Sequence, residues 1–194
     1  LEPFQIAAVA KDPAIVSEID IGDVSQTAKV FEELKNQESG ASLLKSGWKE
    51  VNRMTQGGFR RGEQWMIGAL QHKNKTGFTL SLFIQFALFN KPLMIDVNKK
   101  PLLLRISFED DITTNMNFVY KYLKARELRA QLFQKGEPWP DEVDDISIGD
   151  VSQEEIAQYV KERLSVNGYE VKFMRVDPSQ WTYMHLCNYI TSLE

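Results

Sequence analysis

The sequence predicts an α/β fold: a mostly parallel sheet with helices on both faces. Three observations carry this. Residues 64–70 form a short apolar run that leads through a polar loop into residues 78–89, which are apolar nearly all round, as in a helix sandwiched against a sheet. Residues 101–108 form a second strongly apolar strand, followed by a long stretch of helical periodicity. Residues 169–176 alternate, or nearly so, as a strand does, and lead into a last helix.

Taken in order, residues 1–20 hold Pro3 and Pro13 with little periodicity and read as an arm or linker. Ser25 is a good N-cap for a helix over 26–36, where Val30, Phe31 and Leu34 make one narrow apolar stripe. Isolated helices this short are marginal in water, so the stripe needs a covering surface, either on its own domain or elsewhere. Gly57-Gly58 turns the chain toward the strand at 64–70, and Gln71-His72-Lys73-Asn74 forms a polar loop. Asn90 and Pro92 end the apolar helix, and residues 93–100 suit a short hairpin arm. The helix predicted over 113–133 carries Met116, Val119, Tyr120, Leu123, Leu128 and Leu132 at helical spacing. Lys121, Lys124, Arg126 and Arg129 lie among them and read as a solvated face, with nucleic-acid contact as the alternative.

Gly136-Glu137-Pro138-Trp139-Pro140 breaks that helix, and the acidic run at 141–145 extends a surface loop. Ser152 and Glu155 form a capping box for a helix over 153–166, which Asn167-Gly168 stops. Asp177-Pro178 turns the chain into a final helix near 182–193. The string Ile-Gly-Asp-Val-Ser-Gln occurs at 21–26 and again at 148–153, each time before a helix with serine as the expected cap. The separation fits no repeat array, so the string reads as a helix start used twice.

With 194 residues, 43% hydrophobic and 26% charged, the chain can bury one core. Its net charge of −4 excludes a surface that is basic everywhere. The single cysteine, Cys187, forms no internal disulfide and fits a reducing cytosol, and with His72 and His185 it makes no metal cluster. No apolar run approaches the roughly 18 residues that a membrane span requires. The first residue is Leu1 rather than Met and no signal pattern follows it, so the chain reads as a piece of a longer protein.

The loop at 71–74 is the most informative feature. A strand feeding a loop whose amides face a helix N-terminus holds a polyanion, because the orphan N–H groups and the helix dipole both favour phosphate. Lys75 adds a point charge at that junction, and Thr76 supplies a hydroxyl for Mg2+. A P-loop has glycine, four residues, glycine, lysine and then serine or threonine. Aligned on Lys75-Thr76, those two glycine positions are Ala69 and Asn74, with Gly68 one place early. Asparagine is the residue after glycine that best tolerates left-handed geometry, so Asn74 is a plausible stand-in. The alternative is a polar strand-to-helix loop that happens to contain Lys-Thr.

The flanking residues support the phosphate reading. The stretch from Leu43 to Glu63, with Trp48, Val51-Asn52, Thr55, Gly57-Gly58 and Gly62-Glu63 in register, resembles the start of the ATPase core of DnaB-like replicative helicases and their RecA-type relatives. Ser107-Phe108-Glu109 resembles that family's Ser-Leu-Glu, whose glutamate polarises the attacking water. The resemblance covers residues 43–112 well, and the eroded glycines suit a divergent, phage-type member.

It implies a RecA-like P-loop core over 43–194, preceded by an arm and linker helix over 1–42. Lys75 and Glu109 are the expected catalytic residues. Gln71, His72, Lys73, Asn74, Lys75, Thr76 and Gly77 are expected to hold ATP, with Thr76 on Mg2+. Glu109 also ends the apolar strand, at the carboxyl edge where α/β sheets hold ligands. Asp110 and Asp111 are alternatives for its role, better placed to begin the next helix.

The resemblance further implies single-stranded DNA as a partner and a homo-oligomeric ring, as a hexamer, in the full-length protein. A primase or helicase loader would be a further partner, in the cytoplasm of a bacterium or an infected host cell, with no membrane association. No convincing Walker B strand follows Glu109, so that segment is expected beyond Glu194. Two other readings stand beside the helicase. One is a different RecA-like ATPase, such as a recombinase, clock-type ATPase or packaging-type motor. The other is a non-hydrolysing interaction module with an eroded P-loop.

Overall fold

The computed structural model describes residues 18–38, 43–60, 62–92, 94, 98–138, 146, 149 and 151–193. The N-terminal arm up to residue 17, most of the hairpin expected at 93–97 and the acidic loop at 141–145 lie outside them. The chain divides into two units, Leu1–Ala41 and Ser42–Glu194.

The first unit contains α1 (Val24–Glu38). Its cap is Asp23 rather than Ser25: the Asp23 carbonyl accepts the first helical bond from Thr27 N–H at 3.1 Å. The Asp23 carboxylate also accepts from the amides of Ser25 at 2.9 Å and Gln26 at 3.2 Å. Ser25 sits inside the first turn and donates its hydroxyl to the same carboxylate, which holds Asp23 below the usual carboxylate range. A carboxylate outcompetes a neighbouring hydroxyl here because it accepts more bonds and its charge complements the helix dipole. Val30, Phe31 and Leu34 are exposed.

The second unit begins with a pinned approach to the phosphate-type loop. An antiparallel bridge joins Leu44 to Phe59 on either side of α2 (Lys49–Met54). Gly58 (φ +151°) lies so close to this bridge that a Cβ there would stand 2.8 Å from the Leu44 carbonyl oxygen. Trp48 stacks on Phe78 with centroids 5.0 Å apart, and Phe59 packs edge-on to Phe86 at 5.2 Å, so this segment grips α3 (Lys75–Phe89). At the far end of α3, the Asn90 side chain accepts from Lys45 N–H at 2.6 Å and donates to Lys45 O at 3.0 Å.

The sheet consists of β1 (Leu102–Ser107) and β2 (Glu170–Arg175), paired in parallel from Leu102–Glu170 to Ser107–Arg175. Between them run α4 (Ile112–Lys135) and α5 (Gln153–Leu164), the long crossover that a parallel pair requires. Gly136, in left-handed geometry at φ +71°, ends α4, and the predicted Ser152–Glu155 capping box starts α5. The core joins Ile84 and Ala87 of α3, Val119 and Leu123 of α4 and Leu164 of α5, with Leu103, Val171 and Phe173 of the sheet packed against them. Each fully buried leucine, isoleucine or valine of this core contributes about 1.5–3 kcal/mol.

Glu127 ties α4 to α5 by accepting from Tyr159 Oη and from Arg163, each at 2.9 Å. Burial, followed by this bond, pushes the Tyr159 phenol up to about 12. The chain ends in α6 (Tyr183–Thr191), capped by Thr182.

A further expectation changes. Residues 64–70, predicted as a buried strand, belong to neither helix nor strand, and Met66 and Leu70 are 97% and 78% exposed. A strand exists only with a ladder partner, and among the described residues β1 pairs with β2 alone. The molecule is thus α/β with a small parallel sheet of two strands among the described residues. The basic set on α4 keeps its reading as a solvated face, with Lys121, Arg126 and Arg129 exposed, and two of its members are engaged within the chain: Lys124 over the Tyr159 ring at 4.1 Å and Arg126 over Phe89 at 4.6 Å. That weakens the alternative of nucleic-acid contact at those two positions.

Candidate nucleotide site

Helix α3 starts at Lys75, directly after the loop at 71–74. Asn74 is its N-cap in left-handed geometry (φ 51°, ψ 35°), and its side chain caps none of the first-turn amides. Those amides have no partners within the helix, so they face outward as donors. His72 also adopts left-handed geometry, at φ 60°. The loop therefore reaches with His72 and Asn74 the backbone angles for which glycine is the usual solution. Gly77 is buried in the first turn, where an added Cβ would collide with the Asn74 side chain. Replacing Asn74 by glycine is expected to leave the fold intact and to preserve or raise ATP·Mg affinity, measured by calorimetric titration. A loss of binding would instead mean that the Asn74 amide itself touches the nucleotide.

The C-terminal end of β1 approaches the same helix end. A cavity of about 410 Å³ opens between them, with Lys75, Thr76 and Thr79 from α3 on its wall. Arg105 and Ile106 of β1, and Phe108, Glu109 and Asp110 just after it, complete that side, and Trp65 and Ile67 also line the cavity. Three of the expected residues, Lys75, Thr76 and Glu109, thus meet in one place. Gln71, His72, Lys73 and Asn74 lie in the exposed loop ahead of the helix and do not line the cavity, and neither does the buried Gly77. The two acidic neighbours of Glu109 divide. Asp111 caps α4, accepting from Thr113 N–H at 3.1 Å. Asp110 turns into the cavity, where its carboxylate accepts from Thr76 Oγ1 at 3.5 Å. Its own N–H donates to Ser107 Oγ at 2.8 Å, which fixes the turn.

Arg105 is the residue that sequence reasoning missed. It reaches Asp110 at 3.4 Å and donates to Thr79 Oγ1 at 3.3 Å. Burial pulls its guanidinium down from the ordinary arginine value, against the attraction of Asp110. The signal was available: an arginine stands inside the apolar run Leu102-Leu103-Leu104-Arg105-Ile106. A charge in a half-buried strand needs a partner on the facing element.

The family model for divergent DnaB-like ATPases matches residues 1–194. The chain belongs to this family. No curated protein matches it significantly, and no solved structure does either. A larger cavity of about 780 Å³ lies between α5 and β2, walled mainly by apolar side chains such as Val160, Leu164 and Phe173. Lys100, Lys161, Ser165, Tyr169 and Glu170 also line it, but none of the residues of the Lys75-Thr76 motif does, so the smaller cavity is the candidate for nucleotide chemistry. Among the described residues, no group of three or more His, Cys, Asp or Glu is placed to hold a metal, and no helix is long and apolar enough to cross a membrane.

Proposed function

We propose that this chain is the ATPase part of a replicative DNA helicase, with a RecA-like core over 43–194 and an arm and linker helix over 1–42. It couples ATP hydrolysis to movement on single-stranded DNA within a ring, as a hexamer. The observation that carries this reading is the meeting of Lys75, Thr76 and Glu109 at one cavity in a member of the divergent DnaB-like ATPase family. The outward-facing amides at the start of α3 and the Lys75 ammonium hold the phosphates. Glu109 orients the attacking water and takes its proton.

The oxygen donors Thr76 and Asp110 suit a hard divalent cation, which is usually held by one or two carboxylates together with substrate phosphates and water. A magnesium ion bound there would neutralise part of the phosphate charge. The exposed stripe of Val30, Phe31 and Leu34 supports a role for α1 in contacts between subunits. A cytoplasmic setting in a bacterium or infected host, with a primase or loader as partner, follows from the same reading, as does a phage-type origin.

A second reading, a non-hydrolysing module, is favoured by one feature: Ala69 and Asn74 stand at the two positions where a P-loop has glycine. Hydrolysis assays on the full-length protein separate the two. The helicase reading expects ATP turnover that single-stranded DNA stimulates, together with unwinding of a forked duplex. Binding of ATP·Mg with no turnover, with or without DNA, would overturn it in favour of the second reading.

A further inference from the structure

We infer that Arg105 reads the terminal phosphate of the bound nucleotide and so sets a preference for a nucleoside triphosphate over a diphosphate. The inference rests on the ATP-site reading above and extends it to a residue on β1.

The Arg105 side chain is only 14% exposed, yet its partners are few and long. It meets Asp110 at 3.4 Å and Thr79 Oγ1 at 3.3 Å, while its buried Nε has no hydrogen-bond partner among the described residues. A guanidinium offers five N–H donors, and a buried one with unused donors is costly unless another acceptor comes to it. The position of Arg105 says which acceptor that is. It lines the same cavity as Lys75, Thr76 and Glu109, and it is held by Asp110, the residue next to the one assigned to the attacking water. The phosphate that water attacks is the terminal one, so Arg105 stands beside it.

The planar fork of a guanidinium matches phosphate oxygens two at a time, and such bidentate contacts are shorter and stronger than a single loose contact to a carboxylate. Asp110 therefore serves as a stand-in acceptor that keeps the charge paired while the terminal phosphate is missing. When the phosphate arrives, Arg105 exchanges partners, and Asp110 remains beside the Thr76 hydroxyl.

The test compares dissociation constants for ATP·Mg and ADP·Mg in the full-length wild type, Arg105→Gln and Arg105→Lys, with circular dichroism establishing that each is folded. Charge-assisted contacts of this kind correspond to about a ten- to hundredfold change in affinity. Arg105→Gln is expected to weaken ATP·Mg by that factor and leave ADP·Mg unchanged, with Arg105→Lys between it and wild type. The lysine variant keeps the charge, so it preserves the measurement if glutamine disrupts folding. A ratio unchanged from wild type in the folded variants, or equal weakening of both nucleotides, would mean that Arg105 only fastens β1 to α3, and would overturn the inference alone. A wild type that binds neither nucleotide would overturn the ATP-site reading itself.

Discussion

Replacing Lys75 by alanine is expected to weaken ATP·Mg binding by about ten- to hundredfold, the range that corresponds to losing a charge-assisted contact to phosphate. Lys75 is the first residue of α3, on the wall of the cavity that also holds Thr76 and Glu109. Its ammonium adds to the field of the helix N-terminus, and the exposed loop before it contributes no side chain to that wall. The backbone amides survive the substitution, so some affinity for phosphate should remain. Because Lys75 is exposed, its loss should leave the melting temperature nearly unchanged. Calorimetric titration of both proteins checks the prediction. Equal affinities would make the loop merely structural.

The second large effect is expected on turnover rather than binding. Glu109→Gln should bind ATP·Mg like the wild type while hydrolysis falls by about 10²–10⁴-fold. Glutamine keeps the shape and the hydrogen-bonding reach but cannot accept the proton of the attacking water. Steady-state phosphate release, measured beside nucleotide affinity, separates the two quantities. If turnover is unaffected, Asp110 becomes the candidate, because its carboxylate also enters the cavity. Asp111 is a weaker one, since its carboxylate is engaged with Thr113 N–H and with Arg175 at 3.7 Å.

Much of the local structure was legible in the sequence because its causes are local. The Ser152–Glu155 box starts α5, Gly136 ends α4, and Asn74 adopts the left-handed geometry expected of a residue in glycine's place. Each rests on interactions spanning no more than about a turn of backbone. Where two local solutions competed, the sequence was less decisive. Ser25 was expected to cap α1, and the Asp23 carboxylate took that place by accepting two amides and a hydroxyl together.

The sequence by itself determined that a lysine and a threonine open an apolar helix after a polar loop, and that an apolar strand runs to a glutamate. Those are facts of order and spacing, and they were enough to suggest the family. Only the tertiary structure decided which side chains share the cavity. It set Asp110 against Thr76 across 34 positions of sequence and placed Arg105 against Thr79 across 26. It also left residues 64–70 outside any strand, despite their apolar pattern. The reason is the same in each case. A hydrogen bond across two elements, or a strand in a sheet, depends on what stands opposite, and a linear pattern records only the residue's own side of that contact.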